Sequence, residues 1–303
     1  PLFNQETFFE KPPLYYWLLF GFFNIFGINE FAARFPSAIA ALGTGILVFL
    51  LGQQLFKRDI AIASVLVLAS TIGFLYRSRT GNLDSVLSFF ILATIYSFFM
   101  RWYLLMGLSI ALAFLTKGFI AYLFPTLAIL YFILRREKEI FNKKFIQGIL
   151  LGIFIPSVWV VLNIFLNGDD FTFQFFHNQT EKFSETISFW RHFSFDFVSF
   201  LRSGLKYWFI LFIPLFLYSI YKWRNSKEIL LALYFLVYFG LLLLSRNKSN
   251  WFLMPLYPVT ALITAWGLFE LGKRIKLRPI FILFACFSVS IFIAVQYKNE
   301  YIV

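Results

Sequence analysis

Ten apolar stretches, each close to the length of a bilayer crossing, follow one another along this chain with only short polar breaks between most of them. The first five are Phe31 to Phe56, Ile60 to Tyr76, Leu83 to Met100, Trp102 to Thr116 and Phe119 to Leu134. The other five are Phe145 to Leu166, Leu205 to Tyr221, Ile229 to Ser245, Trp251 to Leu271 and Ile280 to Gln296. A helix needs roughly 20 residues to cross hydrocarbon, with about 17 as a lower working limit. Backbone groups in lipid must be satisfied within the segment itself, so such runs fold as helices. Composition excludes a soluble globule, since 60% of the 303 residues are apolar and only 14% charged, against about a quarter charged in soluble domains. The expected fold is all-α and polytopic, with about ten transmembrane helices. The third and fourth are separated by Arg101 alone, so their boundaries are soft.

A net charge of +12 could suggest a nucleic-acid partner, but the basic residues stand in short clusters between the apolar runs. That arrangement orients a membrane protein, because short cytoplasmic loops collect Lys and Arg. Alternate loops hold Lys57-Arg58, Arg101, the stretch from Arg135-Arg136 to Lys143-Lys144, Lys222/Arg224/Lys227, and Lys273-Arg274 with Lys276 and Arg278. These are read as cytoplasmic, and nucleic acid is not an expected partner. The opposite loops, Arg77 to Asp84, Lys117-Gly118, Asn167 to Gly204 and Arg246 to Asn250, then share the outer face. The single cysteine, Cys286, lies in an apolar run, which excludes an internal disulfide.

Residues 1–30 read as the end of an outer loop with an interfacial helix, and 31–303 as a transmembrane domain with one long outer loop at about 167–204. The apolar segment Pro13 to Gly27 is short for a crossing. It is either a short first transmembrane helix or a helix lying in the interface, with Tyr15, Tyr16 and Trp17 at headgroup depth. Small residues from Ser37 to Gly43 suit close helix packing.

Ionisable residues at membrane depth carry a functional expectation. Glu10-Lys11 precedes Pro12-Pro13, which fixes the backbone before a helix begins. Arg77 and Arg79 precede Asp84, which is either a helix cap or part of a phosphate site with the two arginines. Lys117-Gly118 interrupts an unbroken apolar stretch, where the lysine either snorkels or meets a lipid phosphate. Arg246 to Asn250, including Lys248, leads into Trp251 and a two-proline pattern. The only histidines, His177 and His192, fall in the long outer loop, and a His with a Glu makes a partial metal site.

Taken in order, FFEKPPLYYWL, FGINEFAARFPSAIAAL, RSRTGNLD, LTKG and NKSNWFLMPLYPVTALI resemble the bacterial aminoarabinose and protein-mannosyl transferases of the GT-C superfamily. The resemblance implies a membrane glycosyltransferase that takes its sugar from a polyprenyl-phosphate donor. The acceptor would be lipid A-like, a glycan or a protein. It also implies a bacterial inner (plasma) membrane location with the active site on the periplasmic face, and an EKPP segment lying along the membrane. By the same resemblance Lys11 and Asp84 are catalytic, Lys117 and Lys248 bind the substrate's lipid phosphate, and Glu10 with His192 could hold a divalent metal ion; Arg77 and Arg79 join the substrate-binding set on their own charge beside Asp84. The surroundings of His192, ISFWRHFSFDF, depart from the family's proline-aromatic run. The family's principal acid would lie upstream of Pro1, so the chain is expected to lack a first transmembrane helix and the general base.

Displacing a polyprenyl phosphate requires a base for the acceptor and positive groups for the departing phosphate. A transporter or flippase is the alternative, and it would call for ionisable groups near mid-membrane and inverted repeats. The charges here stand at the ends of the runs and no repeat is visible. A non-enzymatic membrane scaffold is the third reading.

Overall fold

The structure, a computed structural model, describes residues 2–3, 6–177, 195–245 and 249–301. Among these residues it is all-α apart from one antiparallel pair of two-residue strands, Leu2–Phe3 with Glu6–Thr7. The helices are α1 (Leu14–Phe26), α2 (Glu30–Leu55), α3 (Arg58–Ala69), α4 (Ile72–Arg79), α5 (Leu83–Phe99), α6 (Tyr103–Lys117) and α7 (Leu123–Leu134). Then come α8 (Lys143–Thr172), α9 (Phe195–Leu205), α10 (Trp208–Trp223), α11 (Ile229–Leu244), α12 (Tyr257–Arg274) and α13 (Pro279–Tyr301).

Each of the ten apolar runs falls on a helix or a helix pair, but they are not equally long. Among the described residues, four helices are long and apolar enough to cross a membrane: Glu30–Leu55, Lys143–Phe176, Asn250–Arg274 and Pro279–Gln296. The pair α3 and α4 makes a fifth if counted as one span, bent by 65°. The remaining five are shorter, between the 15 residues of α6 and the 17 of α5 when the 3-10 turn Phe119–Tyr122 is counted with α7. Several of these are wrapped by other helices; α5 is buried along most of its length and α11 along half.

The α3–α4 bend follows from Ser70 and Thr71. Their hydroxyls donate to the carbonyls of Leu66 (2.7 Å) and Val67 (2.9 Å), competing with the backbone ladder at the break. Trp208 Nε1 of α10 donates to Ser70 Oγ at 2.9 Å and fixes the corner from outside.

The turns expected on the cytoplasmic side meet one another at one end of the bundle. Phe56 stacks on Trp223 at 5.7 Å, and Lys227 pairs with Glu137 at 3.0 Å. Glu139 accepts from Tyr103 (2.5 Å) and Asn142 (3.1 Å), with Arg101 at 3.9 Å. Tyr103 and Asn142, together with nearby Arg101 and Lys227, hold the Glu139 carboxyl below its ordinary range against the opposing effect of burial, the Tyr103 hydrogen bond being the largest influence.

The segment 167–204, expected as a loop, is helical where it is described. The α8 helix runs on to Thr172 past non-helical geometry at Gly168, a π-helical turn covers Phe173–His177, and α9 begins at Phe195. The sequence missed this because the polar run Asn167 to Asp170 ends the apolar pattern without ending the helix. Helix α1 is the expected short segment of 13 residues, roughly 20 Å long. Tyr15 is buried while Trp17, Phe20 and Ile25 are exposed, and α1 packs on α2 and α6.

Candidate functional site

At the end of the bundle opposite the basic turns, the bend after α3 aims α4 so that the Thr80-Gly81-Asn82 turn lies against α2. Ser37 Oγ of α2 donates to the Asn82 carbonyl and accepts from the Asn82 N–H, both at 2.8 Å. Asn82 Oδ1 in turn accepts from the Asp84 N–H at 2.7 Å, making Asn82 the N-cap of α5. Capping therefore does not explain Asp84. Its residue is 2% exposed, and its carboxylate takes the Lys117 ammonium of α6.

Lys117 is the last residue of α6. Gly118 follows with φ of +86°, a conformation that costs a side-chain-bearing residue, and turns the chain into the 3-10 segment Phe119–Tyr122. The turn leaves the Lys117 ammonium between Asp84 and the Phe252 ring, 4.2 Å from its centroid. The pair is largely removed from water, with side-chain exposures of 16% for Lys117 and 3% for Asp84.

Glu10 and Lys11 reach the same place from the N-terminal segment. The Phe9 N–H donates to Gln174 Oε1 (2.9 Å) and the Phe9 ring meets Phe171 edge-on at 5.5 Å, so the end of α8 and the π-helical turn after it hold the segment. Lys11 Nζ donates to Glu10 Oε1 at 2.6 Å. Burial, then the Glu10 charge, raise the Tyr16 phenol above its ordinary value.

Lys11 and Lys117 line one cavity of about 400 Å³, walled otherwise chiefly by apolar side chains including Ile120, Leu123, Leu242 and Phe252. Tyr238 closes it, its hydroxyl donating to the Phe252 carbonyl at 3.2 Å. Phe119, Tyr122 and Thr126 are shared with an apolar groove of about 530 Å³ along α6, α7 and α8. Tyr238 and Thr126 read in the sequence as ordinary span residues, with no signal to mark them.

The other expected site residues are placed differently. Arg77 does not line the lysine cavity; its guanidinium donates to Asn250 Oδ1 and faces the rings of Trp251 (4.8 Å) and Tyr76 (5.2 Å). Arg79 is exposed at the end of α4. Lys248 and His192 lie outside the described residues. The expected metal pair of Glu10 and His192 therefore has one described member, and Lys11 engages its carboxylate. Among the described residues no three His, Cys, Asp or Glu side chains form a group able to hold a metal ion, so these residues do not by themselves fit one.

The model of the dolichyl-phosphate-mannose-protein mannosyltransferase family matches residues 10–162. An uncharacterized protein of Aquifex aeolicus is 32% identical over 277 residues, covering 90% of this chain and 63% of that protein. An undecaprenyl phosphate-alpha-4-amino-4-deoxy-L-arabinose arabinosyl transferase of Pseudomonas aeruginosa is 26% identical, covering 92% of this chain and 54% of that enzyme. Among solved structures, ArnT from Cupriavidus metallidurans bound to undecaprenyl phosphate superposes with a TM-score of 0.79 at 19% identity, over 90% of this chain and 52% of that one. The chain thus spans between half and two thirds of the length of these proteins.

Proposed function

Since this chain belongs to the dolichyl-phosphate-mannose-protein mannosyltransferase family of multi-pass membrane glycosyltransferases, we propose that it forms the lipid-phosphate site of an enzyme moving a sugar from a polyprenyl-phosphate donor to an acceptor. The observation that carries this reading is the shape and chemistry of the lysine cavity. Two ammonium groups stand at one end of an otherwise largely apolar space that continues into the groove along α6 to α8. A polyprenyl phosphate has the same division, an anion on a long hydrocarbon chain.

In this reading Lys11 and Lys117 hold the donor phosphate and stabilise the charge that grows on it as the bond to the sugar breaks. Asp84 positions Lys117, and Glu10 positions Lys11. Each carboxylate keeps its lysine ordered in a setting where an isolated charge would be unfavourable. The donor chain takes the groove lined by Phe114, Ile149, Ile153 and Val160. The loops that carry this site alternate with the basic ones, which supports a periplasmic site at a bacterial inner membrane. Residues 1–30 serve as an interfacial arm in front of the transmembrane domain.

The test supplies radiolabelled undecaprenyl-phosphate sugar to the full-length protein in membranes. Transfer of label to membrane acceptors, and its loss on Lys117→Ala and Lys11→Ala, is the expected outcome. Absence of transfer, or full activity in both variants, overturns the assignment.

A further inference from the structure

A second pocket, of about 260 Å³, lies across the 3-10 turn Asn250–Leu256 from the lysine cavity, enclosed by α4, α9 and the start of α12. The turn is the common wall: Asn250 lines this pocket, and Phe252, two residues on, lines the other. Two features mark it as a site for an anionic, hydroxyl-rich ligand.

The first is Arg77. Lys11 and Lys117 are each neutralised by a carboxylate, whereas Arg77 meets only an amide oxygen and two aromatic rings among the described residues. Its guanidinium has five N–H donors, and the bond to Asn250 leaves others for a phosphate.

The second is Tyr257. It is 2% exposed, and its hydroxyl makes no hydrogen bond among the described residues. That hydroxyl passes between Gly73 of α4 and Gly204 of α9, where a Cβ at either position would collide with it. Both glycines also line the pocket. Two helices are thus kept bare of side chains to admit one hydroxyl, which lines the pocket and is open there to a hydrogen-bonding partner.

We propose that this pocket binds a sugar phosphate, its phosphate on Arg77 and its hydroxyls on Tyr257 and Asn250, as the headgroup of the acceptor. The assignment to the acceptor rests on the reading of the lysine cavity as the donor site. The pocket lacks the long apolar wall that a prenyl chain would need, and it meets the donor cavity across a single turn of backbone.

Binding of glucose 1-phosphate to the full-length protein in detergent, measured by calorimetry beside glucose and inorganic phosphate, tests the proposal. Glucose 1-phosphate binds about tenfold or more tighter than either fragment, Arg77→Gln abolishes that binding, and Tyr257→Phe weakens it about three- to tenfold. Both variants keep wild-type affinity for undecaprenyl phosphate. Should Arg77→Gln fail to fold, Tyr257→Phe decides, because it keeps the ring between the glycines. The proposal is overturned by three outcomes: no binding by the wild type, equal binding of inorganic phosphate, or glucose 1-phosphate affinity unchanged in the variants. Loss of undecaprenyl phosphate in the same variants also overturns it, since the pocket would then be part of the donor site. If Lys117→Ala keeps undecaprenyl phosphate while Arg77→Gln still loses the sugar phosphate, the donor reading fails and the second pocket stands.

Discussion

Replacing Lys117 by Met separates the two roles given to this lysine. Its ammonium is the one cation on the Asp84 carboxylate among the described residues, and that carboxylate is 3% exposed. Removing one member of a buried pair leaves the other charge uncompensated and costs about 3–5 kcal/mol. Asp84 occupies the first turn of α5, where the helix dipole returns about 0.3–1 kcal/mol, so the expected loss is near the lower limit, about 3 kcal/mol. The double variant Asp84→Asn with Lys117→Met removes both charges and should lie within about 1–2 kcal/mol of the wild type. Unfolding of the double variant and of the two single variants, Lys117→Met and Asp84→Asn, in a mild detergent, arranged as a thermodynamic cycle with the wild type, measures the coupling. Donor binding behaves differently. A hydrogen bond from an ammonium to phosphate contributes about 1.5–3 kcal/mol, so undecaprenyl phosphate should bind roughly 10- to 150-fold more weakly to Lys117→Met. The double variant should bind it equally weakly, although its stability has returned. A double variant that recovers donor affinity along with stability would show that Lys117 acts only as a counter-ion, and the reasoning would fail.

Gly118→Ala forces a side chain into φ of +86°, and a loss of about 1–3 kcal/mol is expected, with weakened donor binding because the Lys117 turn must move; an unchanged melting temperature would contradict the strained turn. Ser37→Ala removes both bonds to the Asn82 backbone in a buried setting, and a loss of about 1–3 kcal/mol is expected in thermal unfolding. At the opposite end, the depressed Glu139 carboxyl contributes stability that is present above its ordinary value of 4.5 and is lost as pH falls through the lower folded value. Tyr103→Phe removes the largest cause of that depression, so unfolding midpoints followed from pH 7 downward should fall less steeply below about pH 4.5 in the variant than in the wild type.

The apolar runs revealed the helices because lipid imposes one demand on every crossing, and a run of Phe, Leu and Ile meets it without reference to the rest of the chain. The bend between α3 and α4 was not visible in that pattern. Ser70 and Thr71 are small polar residues of a kind that helices in membranes routinely carry, and what makes them a corner is Trp208, 138 positions away. The same holds for the start of α5. In RTGNLD both Asn82 and Asp84 are competent caps, and the choice is made by Ser37 of α2, which grips the Asn82 backbone from 45 positions away. Once Asn82 caps the helix, Asp84 is released for Lys117, so a site residue is specified by a contact that no local pattern contains.

The same long-range logic separates the cations. By sequence, Arg77 and Lys117 are alike, basic residues at the ends of apolar runs in alternate loops of one face. By position they are unlike, because Lys117 ends a helix that packs beside α5 and so meets Asp84, while Arg77 ends a bent helix whose neighbours at that level are Asn250 and aromatic rings. A paired ammonium in an apolar-walled cavity can release its carboxylate partially to an incoming phosphate without leaving a bare charge at any stage. A guanidinium with no carboxylate among the described residues presents its full charge to whatever enters, with the Tyr257 hydroxyl beside it in the same pocket. Two pockets that share a wall but differ in how their cations are compensated suit a reaction with two different substrates, one that stays in lipid and one that brings its own hydroxyls.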